Sequence, residues 1–188
     1  MHPERGVSAI MQQKSMPASR RSGNSIIEVT FMMPWLLFLF VGVFDFGFYA
    51  YALIATQNAA RAVAVHNSIS KTAATDPDLS GCSIALMELQ STPNVSGLGA
   101  CNSGQITSTS QSTTVTFSQI LQVESDYCAT SQSSSPPSCP GSLPGGVDAA
   151  QAVVTYYTAV LIPIPGLLPG QLKITRTALM QVNPSADF

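Results

Sequence analysis

Charged residues make up only 10% of this 188-residue chain, against about 25% in an average soluble domain. From Val29 to Ala55 there is one, Asp45, and no Lys or Arg. No stretch combines basic and aromatic residues in the way that grips a phosphate backbone, so nucleic acid is not an expected partner. Histidine occurs twice, as His2 and His66, with no ligand spacing around either. There is no Cys-x-x-Cys, no Gly-x-x-x-x-Gly-Lys phosphate loop, no Gly-x-Ser-x-Gly turn and no Cys–His pair. Those absences remove the common starting points for metal binding, nucleotide binding and nucleophilic catalysis. We expect no metal, no other cofactor and no enzymatic activity.

What the chain does have is a long apolar run. Val29 to Ala55 carries Phe31, Trp35, Leu36, Leu37, Phe38, Leu39, Phe40, Phe44, Phe46 and Phe48. As a helix it would be roughly 40 Å long, more than the ~30 Å of a hydrocarbon core. Pro34 falls inside it and should bend or loosen it locally, since proline removes one backbone bond. Just before the run stands Ser25-Ile26-Ile27-Glu28, which fits the Ser-x-x-Glu capping box at a helix start. Tyr49 and Tyr51 suit the far membrane interface.

The charge is split around this run. Residues 1–22 carry Arg5, Lys14, Arg20 and Arg21 against Glu4, whereas the remainder has four basic residues and nine carboxylates. The excess of positive charge before the span keeps that end in the cytoplasm and exports the chain beyond the span. The membrane is therefore the first expected partner. All four cysteines, Cys82, Cys101, Cys128 and Cys139, lie on the exported side. An even number there reads as two disulfides, with three pairings open. Nearest-neighbour pairing, Cys82–Cys101 with Cys128–Cys139, would close the shortest loops.

Along the chain, residues 1–22 read as a disordered polar leader. Past Tyr51 the helical pattern continues, with Ala52, Ala55, Ala59, Ala62, Val63 and Ile69 near one face. Gln57, Asn58, Arg61 and Asn67 lie elsewhere. The pattern predicts one helix from about Ser25 to Ser70, with 24–55 in lipid and 56–70 beyond it. Residues 71–112 are rich in Ser, Thr, Gly and Pro, with one short helical candidate, Ser83–Leu89. Thr113–Phe117 is a β-type run, and 128–146 reads as loop. The two strongest strands are Ala152–Ile162 and Leu172–Val182, joined by a Pro/Gly-rich connection across 163–170. Apolar residues on both faces of the first suggest a central strand packed on the outer half of the long helix. The expected class is α+β: a long N-terminal helix packed on a small antiparallel β-sheet domain, residues 71–188.

The order basic leader, Gly23, four residues, Glu28, apolar helix resembles the class III signal peptide of type IV pilins and pseudopilins. Arg20-Arg21-Ser22-Gly23, Glu28, Pro34, Phe44-Asp45-Phe46-Gly47 and Gln57-Asn58-Ala59-Ala60-Arg61-Ala62 narrow the resemblance to the TadE-like proteins of tight-adherence (Flp) pilus systems. It covers about 20–66 and, more loosely, 150–183. Val29 departs from the aromatic residue common after the Glu, and Asp45 stands where Glu is common. The resemblance implies cleavage by a prepilin peptidase between Gly23 and Asn24, which makes 1–23 a cytoplasmic leader. It also implies a single-pass inner-membrane subunit with a periplasmic domain. Its partners would be other pilin-like subunits (a TadF-like pseudopilin, the Flp major pilin) and the Tad inner-membrane platform. The role implied is that of a minor pseudopilin in pilus assembly, adhesion and biofilm formation.

A carboxylate at the edge of hydrocarbon costs roughly 3 kcal/mol unless a cation or water reaches it. Glu28 could pair with the α-amine that cleavage exposes at Asn24 of a neighbouring subunit, or simply cap the helix and reach the headgroups. Asp45 deep in the run is a candidate for packing against a polar group of a partner helix, or lies near the far interface. Arg61 could contact an acidic partner, or is solvated. Asn94-Val95-Ser96 matches a glycosylation triplet that also arises by chance. Two rival readings remain at this level. In the first, cleavage after Ala50-Tyr51-Ala52 releases a secreted binding protein, although the apolar region is far longer than a usual signal peptide and contains Asp45. In the second, an uncleaved signal anchor belongs to an envelope complex.

Overall fold

The computed structural model describes residues 22–75, 80–99, 101, 105–108, 112–130, 139–140, 146–159 and 171–182. The leader before Ser22, the connection expected across 163–170 and most of the loop expected over 128–146 lie outside these residues. The chain divides into two compact units, residues 1–40 and 41–188. Helix α1 (Ser22–Asn67) forms the described part of the first and opens the second.

The single long helix expected from about Ser25 to Ser70 is present, within three residues of those limits at each end. The helix spans Ser22–Asn67, so Ser25 stands inside its bounds, and no acidic residue falls in its first turn. At the other end Ser70 serves a different helix. Its hydroxyl accepts the Ala73 N–H at 3.0 Å, capping the short α2 (Lys71–Thr75). A serine that satisfies an orphan N–H of the next helix cannot also continue the previous one. Helix α3 (Ser80–Leu89) comes next and includes the expected Ser83–Leu89.

The sheet has five antiparallel strands in sequential order: β1 (Gln105–Ser108), β2 (Ser112–Phe117), β3 (Leu121–Cys128), β4 (Ala149–Tyr157) and β5 (Lys173–Gln181). The chain is α+β. Strand β4 is central to its neighbours, between β3 and β5, but starts earlier than expected and ends at Tyr157. Two strands, β1 and β3, were absent from the sequence expectation. Strand β3 comes after a tight turn in which Ser118 and Gln119 both have positive φ, 51° and 56°. Neither residue is Gly or Asn, so the turn carries no usual signature.

One face of the sheet packs on helices. Its residues are Val115 and Phe117 of β2, Leu121 and Val123 of β3, Ala152, Val154 and Tyr156 of β4, and Ile174 and Ala178 of β5. They share a core with Ala52, Ala55, Ala59, Ala60, Val63 and Ala64 of α1 and with Cys82, Ala85, Leu86 and Leu89 of α3. The α1 residues recur at spacings of three and four, which makes one helical stripe. Five of the six are alanine. The stripe differs in detail from the expected one. Ile69 is 58% exposed, whereas Asn67, expected elsewhere, is buried. A second, smaller cluster joins Ala74 of α2 to Tyr127, Ala129, Ala150 and Val182.

Candidate functional site

The features that point to function lie along α1. In the first unit every described side chain from Ile26 to Phe40 is exposed. Phe31 is 77% exposed, Trp35 70% and Phe40 71%. Such a run cannot be left in water: each large side chain forfeits about 1.5–3 kcal/mol of burial. The helix is long and apolar enough to cross a membrane, and none of its most apolar 18-residue window is buried by protein. That separates it from a core helix of a soluble domain. Pro34 sits inside without ending it. Near Glu28, the hydroxyl of Thr30 donates to the Ile26 carbonyl at 2.8 Å, which quiets a polar group at an exposed position. Glu28 itself is exposed, in the second turn of the helix. Gly23 and Asn24 are helical in backbone.

In the second unit the same helix changes character. Asp45 is half-buried, and both its carboxylate oxygens are enclosed with no hydrogen-bond partner. Seven residues on, and on the same side of the helix, begins the buried stripe at Ala52. Arg61 is exposed. It stands 16 residues from Asp45, about 24 Å along the axis, so the two cannot pair within one chain. Asn67 closes the stripe; its Oδ1 lies 3.4 Å from His66 Nδ1, and its Nδ2 is buried without a partner. Tyr51 is 45% exposed and shares a hydrogen bond with Ser91.

The cysteines pair as Cys82–Cys101 and Cys128–Cys139. The first bond sits in the main core, with Cys82 0% and Cys101 1% exposed. The second extends from the end of β3. Among the described residues no three His, Cys, Asp or Glu come together as a metal site would require.

Two polar clusters had no signature in the sequence. Asp148, just before β4, accepts the Tyr127 hydroxyl at 2.5 Å, the Thr130 N–H at 2.8 Å and the Thr130 hydroxyl at 3.0 Å. The Tyr127 bond, then the Thr130 N–H, hold the Asp148 carboxyl below its ordinary value. Lys71 lies 5.0 Å from the centre of the Tyr127 ring and adds positive charge to the group. This cluster fastens the end of β3 to the start of β4. The second cluster involves the glycosylation triplet. Asn94 donates to the Tyr157 carbonyl at 2.6 Å and accepts the Tyr156 hydroxyl at 2.5 Å. Burial pushes the Tyr156 phenol up. With both ends of its amide engaged, Asn94 pins the 92–98 turns to β4, which is a structural use of the triplet. Only long-range pairing brings these groups together, so nothing local could have marked them.

No curated protein and no solved structure matches the chain. Over residues 23–65, which run from the Gly of the expected processing site along α1 to Val65, the chain matches the model of the TadE-like protein family, the family its sequence resembles.

Proposed function

We propose that this chain is a minor pseudopilin of a Tad pilus system, a structural and assembly subunit without catalytic activity. The observation that carries the reading is a coincidence of position. Helix α1, whose most apolar stretch is left unburied by protein, holds Gly23-Asn24 at its very start and Glu28 in its second turn, and the family match at 23–65 runs along it. In this reading a prepilin peptidase cuts between Gly23 and Asn24, the N-terminal side is cytoplasmic, and the sheet domain stands in the periplasm. The exposed aromatic and aliphatic side chains of α1 then pack first in lipid and later on other pilin-like helices. Glu28 pairs with the new α-amine of a neighbour and sets the stagger between subunits. Asp45 and Pro34 act in helix packing, and Arg61, exposed beyond the span, is available to a partner.

The secreted alternative is less well supported. Cleavage after Ala52 would cut α1 within the helix at a residue that is 0% exposed in the core. It would also leave the remaining stripe, Ala55 to Ala64, with a severed first turn.

The deciding measurement is the mature N-terminus, from the native membrane fraction, by intact mass and terminal sequencing. A chain that begins at Asn24 supports the proposal, and one that begins after Ala52 defeats it. A full-length chain in a host shown to have prepilin peptidase activity would favour an uncleaved anchor. The variant Glu28→Ala should insert normally but fail to support pilus formation.

A further inference from the structure

The sheet ends on one side in β5, and no described residue pairs with its outer edge. Which of its backbone groups face outward is set by the ladder. Thr158 N–H donates to the Leu172 carbonyl at 2.9 Å and Val182 N–H to the Asp148 carbonyl at 3.0 Å. Residues directed at a partner strand alternate in an antiparallel pair. The register, Ala149 opposite Gln181 to Tyr157 opposite Lys173, is unbroken. Even-numbered residues of β5 therefore bond to β4. Lys173, Thr175, Thr177, Leu179 and Gln181 aim both N–H and C=O at the outer edge, which no described residue pairs. Four of these five are exposed and Leu179 is half-buried. None is proline, so all five can donate. The opposite edge, β1, has only four residues.

Charge distinguishes β5 further. After residue 22 the chain has four basic residues, and two of them, Lys173 and Arg176, are on this strand. None of the nine carboxylates in that part of the chain is on it. Edge lysines discourage pairing between like edges. Two β5 strands side by side would gather four cations and no carboxylate, which disfavours a second copy as the occupant. A strand with carboxylates meets the same charges as attraction, and a carboxylate opposite a cation on a neighbouring strand stabilises by roughly 0.2–1 kcal/mol per pair.

We propose that the outer edge of β5 receives an extended, acidic segment of another protein subunit, added antiparallel or parallel as a sixth strand. Main-chain bonds to residues 173, 175, 177, 179 and 181 provide the grip, and Lys173 and Arg176 select for acidic side chains. The edge is a property of the sheet alone and is independent of the pilus reading.

The test uses full-length protein in detergent micelles and three synthetic nonapeptides of alternating Thr and Val. One carries Glu at the two positions that meet Lys173 and Arg176, one carries Lys there, and one repeats the Glu peptide with alternate amides N-methylated. Amide hydrogen exchange is read residue by residue. The Glu peptide should slow exchange at Thr175, Thr177 and Leu179 by about tenfold or more, the other two should not, and Lys173→Glu should weaken the effect. The proposal is overturned if the Glu peptide gives no slowing, or if the Lys peptide slows exchange equally. Slowing without peptide that grows with protein concentration would also overturn it, because a second copy would then occupy the edge.

Discussion

Asp148 shows how a single side chain can join two strands. Its carboxylate is ionised when it accepts from Tyr127 and Thr130, so its pKa in the folded protein lies below the unfolded value near 3.8. A carboxylate depressed by folding contributes stability above its unfolded pKa and loses it as pH falls through the folded one. Unfolding monitored by circular dichroism should therefore show a stability plateau above about pH 5 with a decline below about pH 4. Tyr127→Phe should lower the plateau by about 1 kcal/mol, the typical net value of one hydrogen bond. It should also flatten part of the acid decline. Asp45 is the contrasting residue, since no donor meets its enclosed oxygens. Replacing it with Asn or Leu should leave the thermal stability of the detergent-solubilised protein unchanged within about 1 kcal/mol, or raise it. In the proposed packing role the same variants would reduce pilus formation, scored by electron microscopy.

At the scale of elements, two features set how the domain closes. The α1 stripe is built from Ala52, Ala55, Ala59, Ala60 and Ala64 with Val63, all buried. These positions are fully enclosed in the core, so added volume has nowhere to go. Ala59→Leu should cost roughly 1–3 kcal/mol in denaturant unfolding. The β2–β3 turn is the other feature. Gln119 holds a φ of 56°, where an L side chain is strained and glycine is not. Gln119→Gly should stabilise by up to about 1 kcal/mol, measured as a shift in the unfolding midpoint. The same turn explains why β3 was hidden. Leu121, Val123 and Tyr127 alternate as a strand should, but Ser125 leaves a gap on the apolar face and no Gly-containing turn announces the strand. By contrast β4 and β5 are dense in β-branched and aromatic residues, bounded by Pro and Gly, and were legible.

Across the whole molecule, the two disulfides replace bulk that a small core lacks. Cys82–Cys101 spans 19 residues and Cys128–Cys139 spans 11. On loop entropy each is worth about 3 kcal/mol, little different from the other. Removing the first pair as a Cys82→Ala, Cys101→Ala double variant should nevertheless cost more than removing the second, because both sulfurs are buried in the core. Comparing the two double variants by thermal unfolding checks this. The sequence by itself determined the apolar helix, the split of charge around it, the Gly23 and Glu28 spacing that resembles a pilin-type leader, and the α+β class. These depend on composition and short-range spacing, which a chain carries before it folds. Tertiary structure alone decided which of the three cysteine pairings forms, which strand and helix residues share the core with α1, and where Asp148 and Asn94 find their partners. Each of those is a contact between residues far apart in sequence, fixed by strand register and helix packing, and local pattern contains no term for it.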